Sequence, residues 1–144
     1  MGFTVSHREK EGVAILDLDG ALTAGDAATT LRATMREIVS AGGNNVILNL
    51  AVVDYIDSTG LGTMVVCYTN FRKSGGRLVL LHLIRRHLEL LLLTKLSTVF
   101  EIFDDEQDAV NSFFPNRHIR HFDILNFVNE QRLRDAGDAG PSEP

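Results

Sequence analysis

Two short runs, NVILNL at residues 45–50 and RLVLLHL at residues 77–83, are mostly apolar. A strand with one wet face alternates apolar and polar residues. Runs like these are expected of strands buried on both faces, inside a parallel sheet covered by helices. Between them Leu61, Met64 or Val65, Tyr68 and Phe71 recur at helical spacing, up to KSGG. Buried strands separated by a helical segment restrict the chain to an α/β layered fold.

The flanking segments extend this pattern. GFTVSHRE alternates, with Phe3, Val5 and His7 on one side and Thr4, Ser6 and Arg8 on the other. KEG turns the chain into VAILDLDG, and the two strands form a hairpin. Through AGDAATTLRATMREIVSA the period becomes helical, carried by Ala28, Leu31, Met35, Ile38 and Val39. Thr23 or Asp26 is expected to cap its start, and Gly42-Gly43 to end it. IRRHLELLLLTKL reads as a helix with Ile84, Leu88, Leu91 and Leu92 inward; Leu90 and Leu93 lie off that stripe, either as core or as an exposed apolar patch. TVFEIF is read as the last strand and DDEQDAVNSFF as an acid-led helix, its charges suited to the helix N-terminus.

The predicted order is β-β-α-β-α-β-α-β-α: a mixed sheet with an N-terminal hairpin and flanking helices, over residues 1–112. Pro115 breaks the last helix. Residues 113–135 are expected to form a C-terminal helical extension with Ile119, Phe122, Leu125 and Val128 in its apolar stripe. It packs on its own domain, or serves a homodimer or another partner. Residues 136–144, AGDAGPSEP, are expected to be a disordered tail.

At 144 residues the chain has the length of one ordinary domain. Its net charge of -5, with no basic cluster, argues against direct nucleic-acid binding, which needs Lys and Arg to neutralise phosphates. The first twelve residues lack the apolar core of a signal peptide. HLELLLLTKL is too short for a membrane span and carries Glu89 and Lys95. A cytoplasmic protein without membrane insertion is expected. Cys67 is the single cysteine and reads as a buried small hydrophobe.

One junction stands apart. In VVDYIDSTGLGTMVV, residues 52–66, apolar runs flank Asp57-Ser58-Thr59, with Gly60 and Gly62 following. Asp57 or Ser58 can accept a bond from a free N–H of the first helical turn. The glycines cost about 1 kcal/mol each in a helix relative to alanine, so their value lies elsewhere, in leaving the backbone open to close approach. A simple cap and a chemical site are both consistent with this pattern. A nucleophilic serine needs a base, and His7, His82, His87, His118 and His121 are the candidates, with His82 best placed at a strand end. The G-x-S-x-G elbow and a glycine-rich loop ending in Gly-Lys-Ser/Thr are both absent, and no metal-ligand spacing stands out. No catalytic residue, metal or cofactor is assigned. A phosphate on Ser58 is physically favourable, because a helix N-terminus tolerates an anion and the added charge beside Asp57 would alter a surface.

The segment VILNLAVVDYIDSTGLGTMVV resembles the signature region of STAS domains, and specifically of bacterial anti-sigma factor antagonists. GVAILDLDGALT, GGRLVLLHL and LLLTKLSTVFEIFDDEQDAV are similar to further parts of that family, so the likeness covers roughly residues 3–112. The resemblance implies a non-enzymatic module that binds an anti-sigma factor serine kinase and so releases a sigma factor. Ser58 would be phosphorylated by the kinase, and a metal-dependent serine phosphatase would reverse it. Asp57, Ser58, Thr59, Gly60, Leu61 and Gly62, with Thr23, would form the partner-binding surface, and ATP and Mg²⁺ would belong to the kinase. Many antagonists carry an acid just after the G-x-L of the second strand; here GALTAGD offers Thr23, with Asp26 three residues later. Within the same fold, a scaffold of a stress-sensing complex or an accessory subunit of a lipid transporter is the alternative. A nucleotide-binding or hydrolytic enzyme is the rival from another class.

Overall fold

The computed structural model describes residues 2–120. Five strands, β1 (Thr4–Lys10), β2 (Val13–Leu22), β3 (Asn45–Ile56), β4 (Arg77–Leu81) and β5 (Ile102–Phe103), lie in the order β1-β2-β3-β4-β5. The β1–β2 hairpin is antiparallel and every later pairing is parallel. The helices are α1 (Asp26–Ser40), α2 (Ser58–Lys73), α3 (Arg85–Leu93) and α4 (Glu106–Asn111). This is the mixed sheet, hairpin and helix alternation expected from the sequence.

The apolar runs are explained by two layers of core. Leu16 and Leu18 of β2, Val46, Leu48 and Leu50 of β3 and Leu78 and Leu80 of β4 pack under α1, α2 and α3. Their neighbours Ile15, Ile47, Val79 and Leu81 face the other way, onto Phe103 and the Ala109 and Val110 of α4. Alternate residues of one strand enter opposite layers, so both must be apolar. Asp17 and Asn49 are register partners on β2 and β3 and interrupt this rule. Asn49 Nδ2 donates to Asp17 Oδ1 at 2.7 Å, and Arg8 reaches both Asp17 (2.7 Å) and Glu106 (2.6 Å). A charged clasp between β1, β2 and α4 thus continues the second face where its apolar packing stops.

Several local expectations change. Neither Thr23 nor Asp26 caps α1: Gly25 occupies the N-cap with φ of 94° and no side chain caps the helix. The Ala24 N–H just before it is directed instead to Asp57. The far end follows the sequence, with Gly42 N–H on Val39 O and Gly43 N–H on Ile38 O closing the last turn. Strand β3 runs beyond the apolar run to Ile56, while β4 pairs with it only as far as Asn49. On that projecting stretch the Val53 carbonyl accepts from His87 Nε2 at 2.9 Å and the Asp54 carbonyl accepts from Arg86 at 3.0 Å, both from α3. His87 is buried, a role its sequence context did not disclose. TVFEIF is mostly not a strand: a 3-10 turn spans Leu96–Thr98, Phe100 turns into the main core, and only Ile102 and Phe103 pair, with Leu80 and Leu81. The acid-led α4 is confirmed, with Asp105 accepting from the Asp108 N–H at 2.9 Å, but it is only six residues long.

Packing continues past α4. Phe113 and Phe114 lie against the second-face core, with the Arg77 guanidinium 4.7 Å from the Phe113 ring and Arg117 4.0 Å from that of Phe114. Residues 115–120 form turns and irregular chain without helix. The rest of the expected helical extension, and the tail, lie outside the described residues.

Of the two leucines left open, Leu90 packs partly buried against the main core and Leu93 is 82% exposed, while Leu91 is buried as expected. Leu91→Ala is expected to cost about 2–5 kcal/mol and Leu93→Ala to stay within about 0.5 kcal/mol, read from urea unfolding of each variant.

Candidate functional site

The junction between β3 and α2 is built around one carboxylate. Asp57 leaves the strand in extended conformation and is the N-cap of α2. Its Oδ1 accepts from the Gly60 N–H at 2.7 Å, and its Oδ2 accepts from the Ala24 N–H at 3.0 Å. The main chain adds two more ties: Asp57 N–H donates to Leu22 O at 3.2 Å, and Leu61 N–H donates to Asp57 O at 2.9 Å. The end of β2, the loop into α1, the end of β3 and the start of α2 therefore meet at Asp57. The N–H of Gly60, then that of Ala24, hold the Asp57 carboxyl below the usual carboxylate range by bonding its charged form.

Gly60 has an internal reason. A Cβ there would stand 2.1 Å from the Leu22 carbonyl oxygen, so the bare backbone is what lets α2 start against the end of β2. Gly62 differs: it is exposed, and nothing lies within 4 Å of where its Cβ would be. The residues expected to form one docking surface thus separate. Ser58, Thr59 and Gly62 are exposed, Asp57 and Thr23 are half-buried, and Gly60 and Leu61 are buried. Leu61 belongs to the main core. Thr23 lines a shallow hollow of about 530 Å³ beside the junction, together with Asp26, Thr29 and Thr30.

Two contributors were not found from sequence. Ala24 acts only through its backbone N–H, which leaves no side-chain signal. Val52 and Tyr55, on the projecting end of β3, belong to the apolar run before the junction and are 58% and 51% exposed. They put apolar surface on the strand that leads into the junction.

Chemically, the arrangement offers an exposed hydroxyl at the positive end of a sixteen-residue helix. Among the described residues Ser58 and His82 make no side-chain hydrogen bond, and the buried His87 ring is engaged by Val53 O. His82 ends β4 through its backbone, donating to Phe103 O at 3.0 Å. No group of three or more His, Cys, Asp or Glu among the described residues could hold a metal ion. No described helix is long and apolar enough to cross a membrane.

A five-stranded mixed sheet with this capped strand-to-helix junction defines a mixed α/β domain. The family model for the STAS domain matches residues 4–109, and the chain belongs to that family. Among solved structures, it is similar to a Thermotoga maritima protein assigned as an anti-sigma factor antagonist, with 26% identity and a TM-score of 0.70 over 75% of this chain and 92% of that one. The Bacillus cell fate determinant SpoIIAA in its phosphorylated form is similar at 18% identity and a TM-score of 0.61, over 78% of this chain and 99% of that one. A sulfate transporter family protein from Wolinella succinogenes shares the fold at 22% identity and a TM-score of 0.63, over 72% and 85%.

Because the native Asp57 pKa is lowered, its stabilising effect is complete above the ordinary carboxylate pKa. It is lost as pH falls through the lowered native value. Thermal unfolding of wild type and Asp57→Asn should differ in favour of wild type at neutral pH, and the gap should close on acidification below about pH 4. The two glycines give an opposite pair. Gly60→Ala is expected to destabilise by about 1–3 kcal/mol through the clash with Leu22, and Gly62→Ala to stabilise by up to about 1 kcal/mol, both measured by chemical denaturation.

Proposed function

We propose that this chain is an anti-sigma factor antagonist, a binding module switched by phosphorylation of Ser58. In its unphosphorylated form it binds an anti-sigma factor that is also a serine kinase, and a sigma factor is released. The kinase then phosphorylates Ser58, the complex dissociates, and a serine phosphatase restores the hydroxyl. The observation that carries this reading is the exposure of Ser58 beside the fixed carboxylate of Asp57, at the first position of α2.

A phosphate there would bring about -1.5 to -2 charges at neutral pH. The first turn of α2 accommodates an anion, so the fold need not change. The surface does change, because the new charge adds to that of Asp57 where a partner would dock. Ser58, Thr59 and Gly62 supply the exposed part of that surface, and Thr23 flanks it. Asp57, Gly60 and Leu61 hold it from beneath. The likeness to structures of antagonists, one of them solved phosphorylated, supports the same reading.

A scaffold or transporter-accessory role within the same fold predicts stable recovery with a multi-subunit assembly or a membrane ATPase. An enzyme predicts turnover by the isolated chain. The deciding experiment is a pull-down from the native cell lysate, with intact mass of the bait recorded with and without ATP and Mg²⁺. Capture of a serine kinase and one added phosphate on Ser58 is expected. With that kinase purified, Ser58→Ala should retain binding and take up no phosphate, while Ser58→Asp should bind at least about tenfold more weakly. Equal affinity of the two variants would overturn the switch.

A further inference from the structure

A second concavity lies away from the junction, between α1 and α2. It encloses about 390 Å³, within the range of small-molecule sites. Met35, Cys67 and Phe71 are buried residues on its lining, and Val39 and Val66 are exposed apolar walls. Both charges on it are positive. Arg32 and Arg36 stand four residues apart on α1, hence on one face of the helix. Arg32 makes only a long contact of 3.4 Å to Thr63 Oγ1, and Arg36 has no ion pair or hydrogen bond among the described residues. Burial pushes the Cys67 thiol up to about 11, and the charges that oppose this are Arg32 and Arg36. Both guanidinium groups therefore act on the groove floor, and the thiol is neutral at physiological pH.

Like charges at this spacing repel mildly, and no acid lines the groove to offset them. An anion would. The lining on α1 runs from Arg32 to Ser40, a length of about 12 Å, with both arginines in its first half. We propose that this groove binds a free alkyl carboxylate, with its head between Arg32 and Arg36 and its chain along Met35, Val39, Val66 and Phe71. A protein partner fits less well. A stable interface buries about 800 Å² on each side, whereas the exposed apolar surface here is confined to Val39 and Val66.

The test is isothermal titration of the full chain with sodium dodecanoate below its micelle-forming concentration, against dodecyltrimethylammonium, which has the same chain and the opposite head charge. One dodecanoate per chain is expected, with the cation at least about tenfold weaker. Arg36→Glu and Val66→Glu should each weaken dodecanoate at least about tenfold while unfolding near the wild-type midpoint; if Arg36→Glu does not fold, Arg36→Gln replaces it. Absence of binding, equal affinity for both amphiphiles, several dodecanoates per chain, or unchanged affinity of the folded variants would overturn the proposal.

Discussion

The Asp57 carboxylate bonds two backbone segments that are far apart in sequence, the first turn of α2 and the loop entering α1. Each of its oxygens is committed to one of them. A cap with a single partner would fix only the start of its own helix. This one also fixes the distance between two helix starts at the same end of the sheet. The bare backbone of Gly60 against the Leu22 carbonyl makes that closeness sterically achievable, and the bond from Asp57 N–H to the same carbonyl completes the joint.

Such a joint explains how a surface can change charge without changing shape. The hydrogen bonds that hold the start of α2 use the Asp57 side chain and the main chain, and leave the Ser58 hydroxyl out. A group added to that hydroxyl is therefore outside the load path of the fold. The first-turn N–H groups and the helix dipole are already suited to negative charge, so the domain itself can tolerate such a group.

The layering was legible because period and burial are simple geometric consequences of strands and helices. Ile47 and Leu48 could both be assigned as buried from a single apolar run. The junction was legible in type, since an acid followed by hydroxyls and glycines between apolar segments already signals a capped helix start. What could not be read was anything carried by tertiary contact. Gly60 and Gly62 look equivalent in sequence, yet one faces the Leu22 carbonyl and the other faces open space. Gly25 rather than Thr23 or Asp26 sits at the N-cap of α1, and the N–H just before it donates to Asp57 at the end of the neighbouring strand. TVFEIF has strand composition, but Phe100 finds its place in the main core and only Ile102 and Phe103 remain to pair. Val52 and Tyr55 are apolar residues left outside by a strand that outruns its neighbour.

That projecting strand has a further consequence. Beyond Asn49, β3 has no pairing with β4, and an exposed edge of this kind is ordinarily a template on which another chain can add itself. Here Arg86 and His87 occupy two of its carbonyls from α3. The helix thus does the work of a missing strand, and it does so with side chains, which offer no repeating ladder for a newcomer to copy. Along Val53 and Asp54 this end of the molecule therefore presents side chains rather than free backbone carbonyls.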